Sequence, residues 1–155
     1  MGGTQDNRIK VLFFSAGNAV RSILAEAILN RIAPSRFRAF SAGSVPTFCL
    51  DPHALGLLRD LGYPTAHLRS KSWTEFLGDG APRMDLVVNL GSFLPLHPLP
   101  GAPLVVEWQI PAPARCALSF ITEAHAVYGQ LEDRITQLAV QPLRALLQID
   151  ETRAA

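Results

Sequence analysis

The chain has 155 residues, 48% of them apolar and 17% charged, which excludes intrinsic disorder and allows a core that buries about 70% of the surface an unfolded chain exposes. Lys and Arg number 14 against 13 Asp and Glu, a net charge of +1, so the total carries no electrostatic footprint of a nucleic-acid or anionic-membrane partner. Two cysteines, Cys49 and Cys116, are too few for a secreted disulfide scaffold and suit a reducing cytosol. No apolar run approaches a membrane span, and Met1 to Asn7 lack the apolar centre of a secretory signal. The expectation is one cytoplasmic domain with no membrane and no nucleic acid among its partners.

Ile9 to Phe14 is a short apolar run that predicts a strand buried on both faces. Ser15-Ala16-Gly17-Asn18 breaks it. A helical pattern follows, with Ile23, Leu24, Ala27, Ile28, Leu29 and Ile32 on one side and Glu26, Asn30 and Arg31 on the other, until Pro34. Phe37 to Phe40 predicts a second strand, closing on Ser41-Ala42-Gly43-Ser44. Strand, tight turn, helix and strand together give the βαβ signature of a parallel sheet.

Asp51 before Pro52 predicts a capped helix with Leu55, Leu57, Leu58 and Leu61 on its apolar face and Gly62 as its stop. Ser72 predicts the cap of a short helix through Trp73, Phe76 and Leu77. Met84 to Leu90 and Leu104 to Trp108 predict two more buried strands, separated by a loop with Pro95, Pro98, Pro100 and Gly101. Phe120, Ala124, Val127, Leu131, Ile135 and Leu138 predict a long helix from Ser119, broken at Pro142 before Leu143, Leu146 and Leu147. The fold class is α/β, a three-layer sandwich with a four-stranded parallel sheet, and ligands are expected at the carboxyl ends of its strands.

That rule directs attention to the loop after the first strand, Ser15, Ala16, Gly17, Asn18, Ala19, Val20, Arg21 and Ser22. It leads into a helix N-terminus, whose amides and dipole attract anions. Gly17 and Asn18 tolerate the positive φ angles of a backbone nest. Arg21 can fork onto two anion oxygens. An ordinary β–α turn with a solvated Arg21 would use the same residues, so the loop alone leaves both readings open.

From Ile9 to Leu147 the sequence resembles the low-molecular-weight protein tyrosine phosphatases and the thioredoxin-coupled arsenate reductases, and more closely the latter. The resemblance is carried by Val11-Leu12-Phe13 with Gly17-Asn18, by Arg21-Ser22-Ile23-Leu24-Ala25-Glu26-Ala27, by Phe40-Ser41-Ala42-Gly43-Ser44, by Leu68-Arg69-Ser70-Lys71-Ser72-Trp73 and by Met84-Asp85. It implies a single domain over 8–149, with tails at 1–7 and 150–155, and an oxyanion-binding loop formed by Ser15, Ala16, Gly17, Asn18, Ala19, Val20 and Arg21. In the family a cysteine opens this loop as nucleophile, an arginine closes it, and the next serine supports the thiolate. Arg21 and Ser22 match the last two roles, while Ser15 stands at the cysteine's position.

Two further family groups are replaced. The general-acid aspartate between prolines corresponds to Ala112 in Pro111-Ala112-Pro113, and the reductases' cysteine after the third strand corresponds to the stretch Asn89-Leu90-Gly91-Ser92. A looser match sets His97-Pro98 against another family cysteine. The resemblance with these groups missing implies a pseudoenzyme that binds phosphate, arsenate or a phosphorylated ligand, without a cofactor. Two alternatives stay open: a phosphatase or arsenate reductase with relocated groups, Cys49 among them, and an interaction module that docks a partner protein through Phe93 to Leu99.

The remaining residues have plainer readings. Cys49 and Cys116 read as semi-buried structural thiols, with a disulfide between them as a formal alternative. His53, His67, His97 and His125 lack paired ligand spacing, so no metal site is expected. Trp73 and Trp108 read as core or pocket-rim aromatics, and Arg59, Arg69, Lys71 and Arg83 as a solvated surface.

Overall fold

The computed structural model describes residues 6–91, 99–113, 119–142 and 145. Strand β1 (Ile9–Ser15) leads into helix α1 (Arg21–Ile32) and strand β2 (Phe37–Gly43). Helix α2 (Pro52–Asp60) and a 3₁₀ turn (Trp73–Phe76) precede β3 (Leu86–Asn89), β4 (Leu104–Glu107) and helix α3 (Phe120–Val140). The four strands form one parallel sheet in the order β2-β1-β3-β4. The chain leaves β1 first toward β2 and later crosses to β3 on its other side, so the crevice of this topology opens beyond the carboxyl end of β1.

Alternation along β1 divides the interior. Val11 and Phe13 join Ile23, Leu24, Ile28, Leu58, Leu131 and Ile135 in a core under α1, α2 and α3. Leu12 and Phe14 face the opposite way, against Ala42, Phe76, Met84 and Val87, where the 3₁₀ turn supplies the thinner third layer. Trp108 and Trp73 pack at the edges of these two clusters, as the core-aromatic reading requires. Asp51 caps α2 by accepting from the amides of His53 and Ala54 at 2.8 and 3.2 Å, Gly62 takes φ +83° just past its end, and Ser72 caps the 3₁₀ turn.

Several expectations are corrected. Helix α1 has no polar outer side over Ser22–Leu29, since every residue there, Glu26 included, is buried between the sheet and α3. Strand β4 is an edge strand with alternating exposure, Val105 being 41% exposed, because only β3 pairs with it. β2 runs on to Gly43, and β3 is shorter at both ends than its apolar run, with Met84 and Leu90 buried beyond it. In α2, Ala54 takes part in the buried face while Leu61 is exposed at the helix end. Leu143, Leu146, Leu147, His97, Cys116 and most of Phe93 to Leu99 lie outside the described residues. Among the described residues no helix is long and apolar enough to cross a membrane.

The burial contrast makes a stability prediction. Leu131→Ala, at a fully buried position of α3, should cost ~2–5 kcal/mol in urea unfolding. Val105→Ala on the half-exposed edge should cost under ~1 kcal/mol.

Candidate functional site

The loop between β1 and α1 is fixed from outside by its carbonyls. Ala16 O accepts from the Val45 amide at 2.9 Å, Gly17 O from the Thr47 amide and the Ser70 hydroxyl at 3.1 Å each, and Ala19 O from the Asp51 amide at 3.3 Å. A trans peptide points the next N–H opposite to its carbonyl, and the described residues have no cis bonds. The amides of Gly17, Asn18 and Val20 therefore turn away from these bonds.

Helix α1 starts at Arg21 behind Val20, whose side chain forms no cap, and its first turn holds no acid. The positive end of the helix dipole is thus offset by no side chain of that turn.

Asn18 sets the loop's shape. It sits at φ +48°, in the left-handed region that asparagine tolerates better than most residues. Its Oδ1 accepts from the Lys71 amide at 2.8 Å, which directs Nδ2 onto Ser22 Oγ, also at 2.8 Å. Ser22 Oγ in turn lies 2.7 Å from Ser15 Oγ. The expected positive φ at Gly17 is corrected, because only Asn18 carries one in this loop. Gly17 is not required sterically either, since a Cβ there would stand 3.4 Å from Thr47 Cγ2, an ordinary contact.

Gly43 is a site residue that sequence reading treated only as a turn. A Cβ on it would fall 2.5 Å from Ala16 O and 3.1 Å from the Asn18 amide nitrogen. The parallel pairing of Ser15 with Gly43 thus brings the end of β2 against the loop at a distance that only glycine permits.

Arg21 is half-buried. Its Nη1 donates to Leu90 O and, at 3.0 Å, to Ile110 O. Burial pulls its pKa below the ordinary value, yet a guanidinium remains charged at any physiological pH. Ser15, Ala16, Gly17, Asn18, Ala19, Val20 and Arg21 all line one cavity of about 580 Å³. Its other walls include Thr47, Cys49, Leu50, Asp51, His53, Ala112, Pro113 and Phe120.

Ser15 is only 2% exposed, at the floor. Its hydroxyl partner is another hydroxyl, so among the described residues no base is hydrogen-bonded to it. Asp51 is committed to capping α2, and His53 is exposed with its ring against Phe120. Cys49 is exposed rather than semi-buried, because residues 44–50 run as an open connection outside the sheet.

Ala112 faces the same cavity, and Gly91 approaches Arg21, its Cβ position lying 3.5 Å from Nη1. His67 and His125 are exposed and outside the cavity lining. Among the described residues no group of His, Cys, Asp and Glu is arranged to hold a metal.

The solvated reading of the basic residues is corrected at Lys71, which is 8% exposed. Its Nζ donates to Arg69 O at 3.1 Å and to Ser41 Oγ at 3.4 Å, and Ser41 donates to Glu26 Oε2 at 3.1 Å. Arg69 does stay at the surface, paired with Glu75. Burial raises the Glu26 carboxyl and lowers the Lys71 ammonium from their ordinary values, each partly offset by the other's charge. The sequence pattern sets Glu26 off the apolar side of α1, so it held no local signal of this burial.

Lys71→Met keeps the amide that holds Asn18 but removes the charge that eases Glu26 ionisation. A carboxyl whose folded pKa is raised contributes stability that is full below its unfolded value and is lost as pH rises through the folded one. Lys71→Met should therefore fall further behind wild type at about pH 8 than at about pH 5 in urea unfolding. An equal deficit at both would contradict the coupling.

The sequence matches the model of the low molecular weight phosphotyrosine protein phosphatase family over residues 10–92, more than half the chain. Among solved structures, an arsenate reductase from Archaeoglobus fulgidus is 28% identical, over 84% of this chain and 99% of that one, with a TM-score of 0.69. A thioredoxin-dependent arsenate reductase from Corynebacterium glutamicum is 23% identical over 87% of this chain, with a TM-score of 0.66, and this chain covers 62% of its length. The tyrosine phosphatase Wzb from Escherichia coli, solved with sulphate, is 22% identical over 84% of this chain and 95% of that one, with a TM-score of 0.65. The latter two likenesses speak to fold alone. Comparison with curated proteins finds no match. The family match and the parallel sheet that carries the loop agree: the chain belongs to the low molecular weight phosphotyrosine protein phosphatase family.

Proposed function

We propose that this chain binds a tetrahedral oxyanion in the loop from Ser15 to Arg21, as phosphate, as arsenate or as the phosphoryl group of a larger ligand, and that it has lost covalent catalysis. The observation that carries the reading is the orientation of the loop. The carbonyls of Ala16, Gly17 and Ala19 are taken by Val45, Thr47, Ser70 and Asp51, so the amides that follow them turn away from those partners, at the uncapped N-terminus of α1 and beside a charged Arg21 on the same cavity. Apolar walls from Leu50, Pro52, Pro113 and Phe120 support a ligand larger than a bare ion.

The chemical half of the proposal rests on three positions. Ser15 stands where the family's nucleophilic thiol belongs. A thiol of ordinary pKa near ~8.5 needs only a modest shift to ionise in such a loop, whereas a hydroxyl needs a base. Ala112 stands where the general-acid aspartate belongs, and its loss removes a factor of about 10²–10⁴. Gly91 lies in the stretch that matches the reductases' cysteine. Arsenate reduction draws two electrons from thiols, and neither Ser15 nor Gly91 supplies any.

Titration calorimetry with phosphate and with arsenate tests the binding half. Wild type should release or absorb heat, and Arg21→Ala should abolish it. A flat wild-type titration, or binding untouched by the substitution, overturns the reading.

Repair tests the chemical half. Ser15→Cys should gain p-nitrophenyl phosphate hydrolysis over an inert wild type, and adding Ala112→Asp should raise it by a further ~10²–10⁴-fold.

The exposed Cys49 on the wall of the same cavity favours one alternative, an enzyme with a relocated nucleophile. That alternative predicts wild-type turnover of p-nitrophenyl phosphate, or arsenate-dependent thiol consumption, lost in Cys49→Ala. Rates equal to buffer in both assays exclude it. A partner protein docking on this face would use the stretch Phe93 to Leu99, of which Leu99 alone is described.

A further inference from the structure

We propose that the main-chain carbonyls of Leu90 and Ile110 position Arg21, and that through them occupancy of the loop is coupled to the carboxyl ends of β3 and β4. The positioning stands on geometry alone, while the coupling rests on the oxyanion reading above. Nη1 carries two hydrogens, and the two carbonyls take both. A guanidinium is planar and conjugated, so two bonds at one terminal nitrogen fix the direction of the opposite edge, formed by Nε and Nη2. The described hydrogen bonds leave that edge uncommitted, and it has the fork geometry that matches two oxygens of a tetrahedral anion.

The two carbonyls belong to buried residues tied by their own amides. Leu90 is fully buried just past β3, with its amide on Phe14 O at 2.8 Å. Ile110 is buried beyond β4, with its amide on Trp108 O at 3.0 Å. Gly91 follows Leu90 at φ +93°, a conformation that favours glycine, with Nη1 3.5 Å from where a Cβ would stand. The strand ends therefore aim the arginine, and the arginine bridges the strand ends. A lysine ammonium lacks the planar second edge, so it cannot hold both carbonyls and offer a fixed fork. Coupling between two such sites is reciprocal, so an anion that gains from the aimed guanidinium must also resist separation of the strand ends.

Hydrogen–deuterium exchange of wild type and Arg21→Lys, with and without saturating inorganic phosphate, tests both halves. Without phosphate, the variant should exchange several-fold faster at 90–91 and 108–112, while β1 and α3 keep wild-type rates. Unchanged exchange at those two segments, or a uniform acceleration across the chain, overturns the positioning. With phosphate, wild type should slow further at both segments and the variant should not. Phosphate that binds wild type by calorimetry yet leaves both segments unchanged overturns the coupling. A wild type that binds no phosphate overturns the oxyanion reading and the coupling with it, and leaves the positioning to be decided by the phosphate-free comparison.

Discussion

The side-chain amide of Asn18 holds the functional end of the molecule in one shape. Its carbonyl takes the Lys71 amide and its nitrogen reaches Ser22, so a residue at φ +48° is anchored on both sides. Left-handed backbone is costly for a residue with a Cβ, and such cost persists only where surrounding bonds over-determine it. Here those bonds come from α1 and from the segment alongside β2. The loop's shape follows from this anchoring together with the hydrogen bonds accepted by the carbonyls of Ala16, Gly17 and Ala19. Loosening Asn18 would disperse the donors that the helix N-terminus gathers.

Charge is arranged on two levels around that anchor. Arg21 lies at the cavity, held by carbonyls rather than by a carboxylate, so no described side-chain anion offsets its charge there. Beneath the loop, Glu26 and Lys71 are separated by Ser41 and buried among apolar neighbours. Breaking such a buried set by removing one member leaves the other uncompensated, which is more damaging than replacing both.

Sheet order explains why these parts meet. β1 is central, with β2 and β3 on its flanks, so the loop at its carboxyl end is bordered by Gly43 on one side and by Leu90 and Gly91 on the other. Residues distant in the chain thereby touch one seven-residue turn. The same order leaves β4 at an edge, which is why its apolar run is only half covered.

Much of this was legible in the sequence. The four strands, the three helices and the position of the loop follow from periodicity and from punctuation by Gly and Pro, because backbone preference and the alternation of buried faces act over a few residues. The residues Ser15 to Ser22 were readable as a β–α loop for the same local reason, while the loop alone left an anion nest and an ordinary turn both open. The burial of Lys71 and Glu26 was not, since a charged residue looks solvated until the surfaces around it are known. Gly43 looked like any glycine in a turn, and its need for a missing Cβ arises only when β2 pairs with β1. The sequence by itself determined the elements and the donors. Tertiary structure decided where Arg21 points and which charges leave water, because both depend on groups brought together across the sheet, beyond the reach of any local pattern.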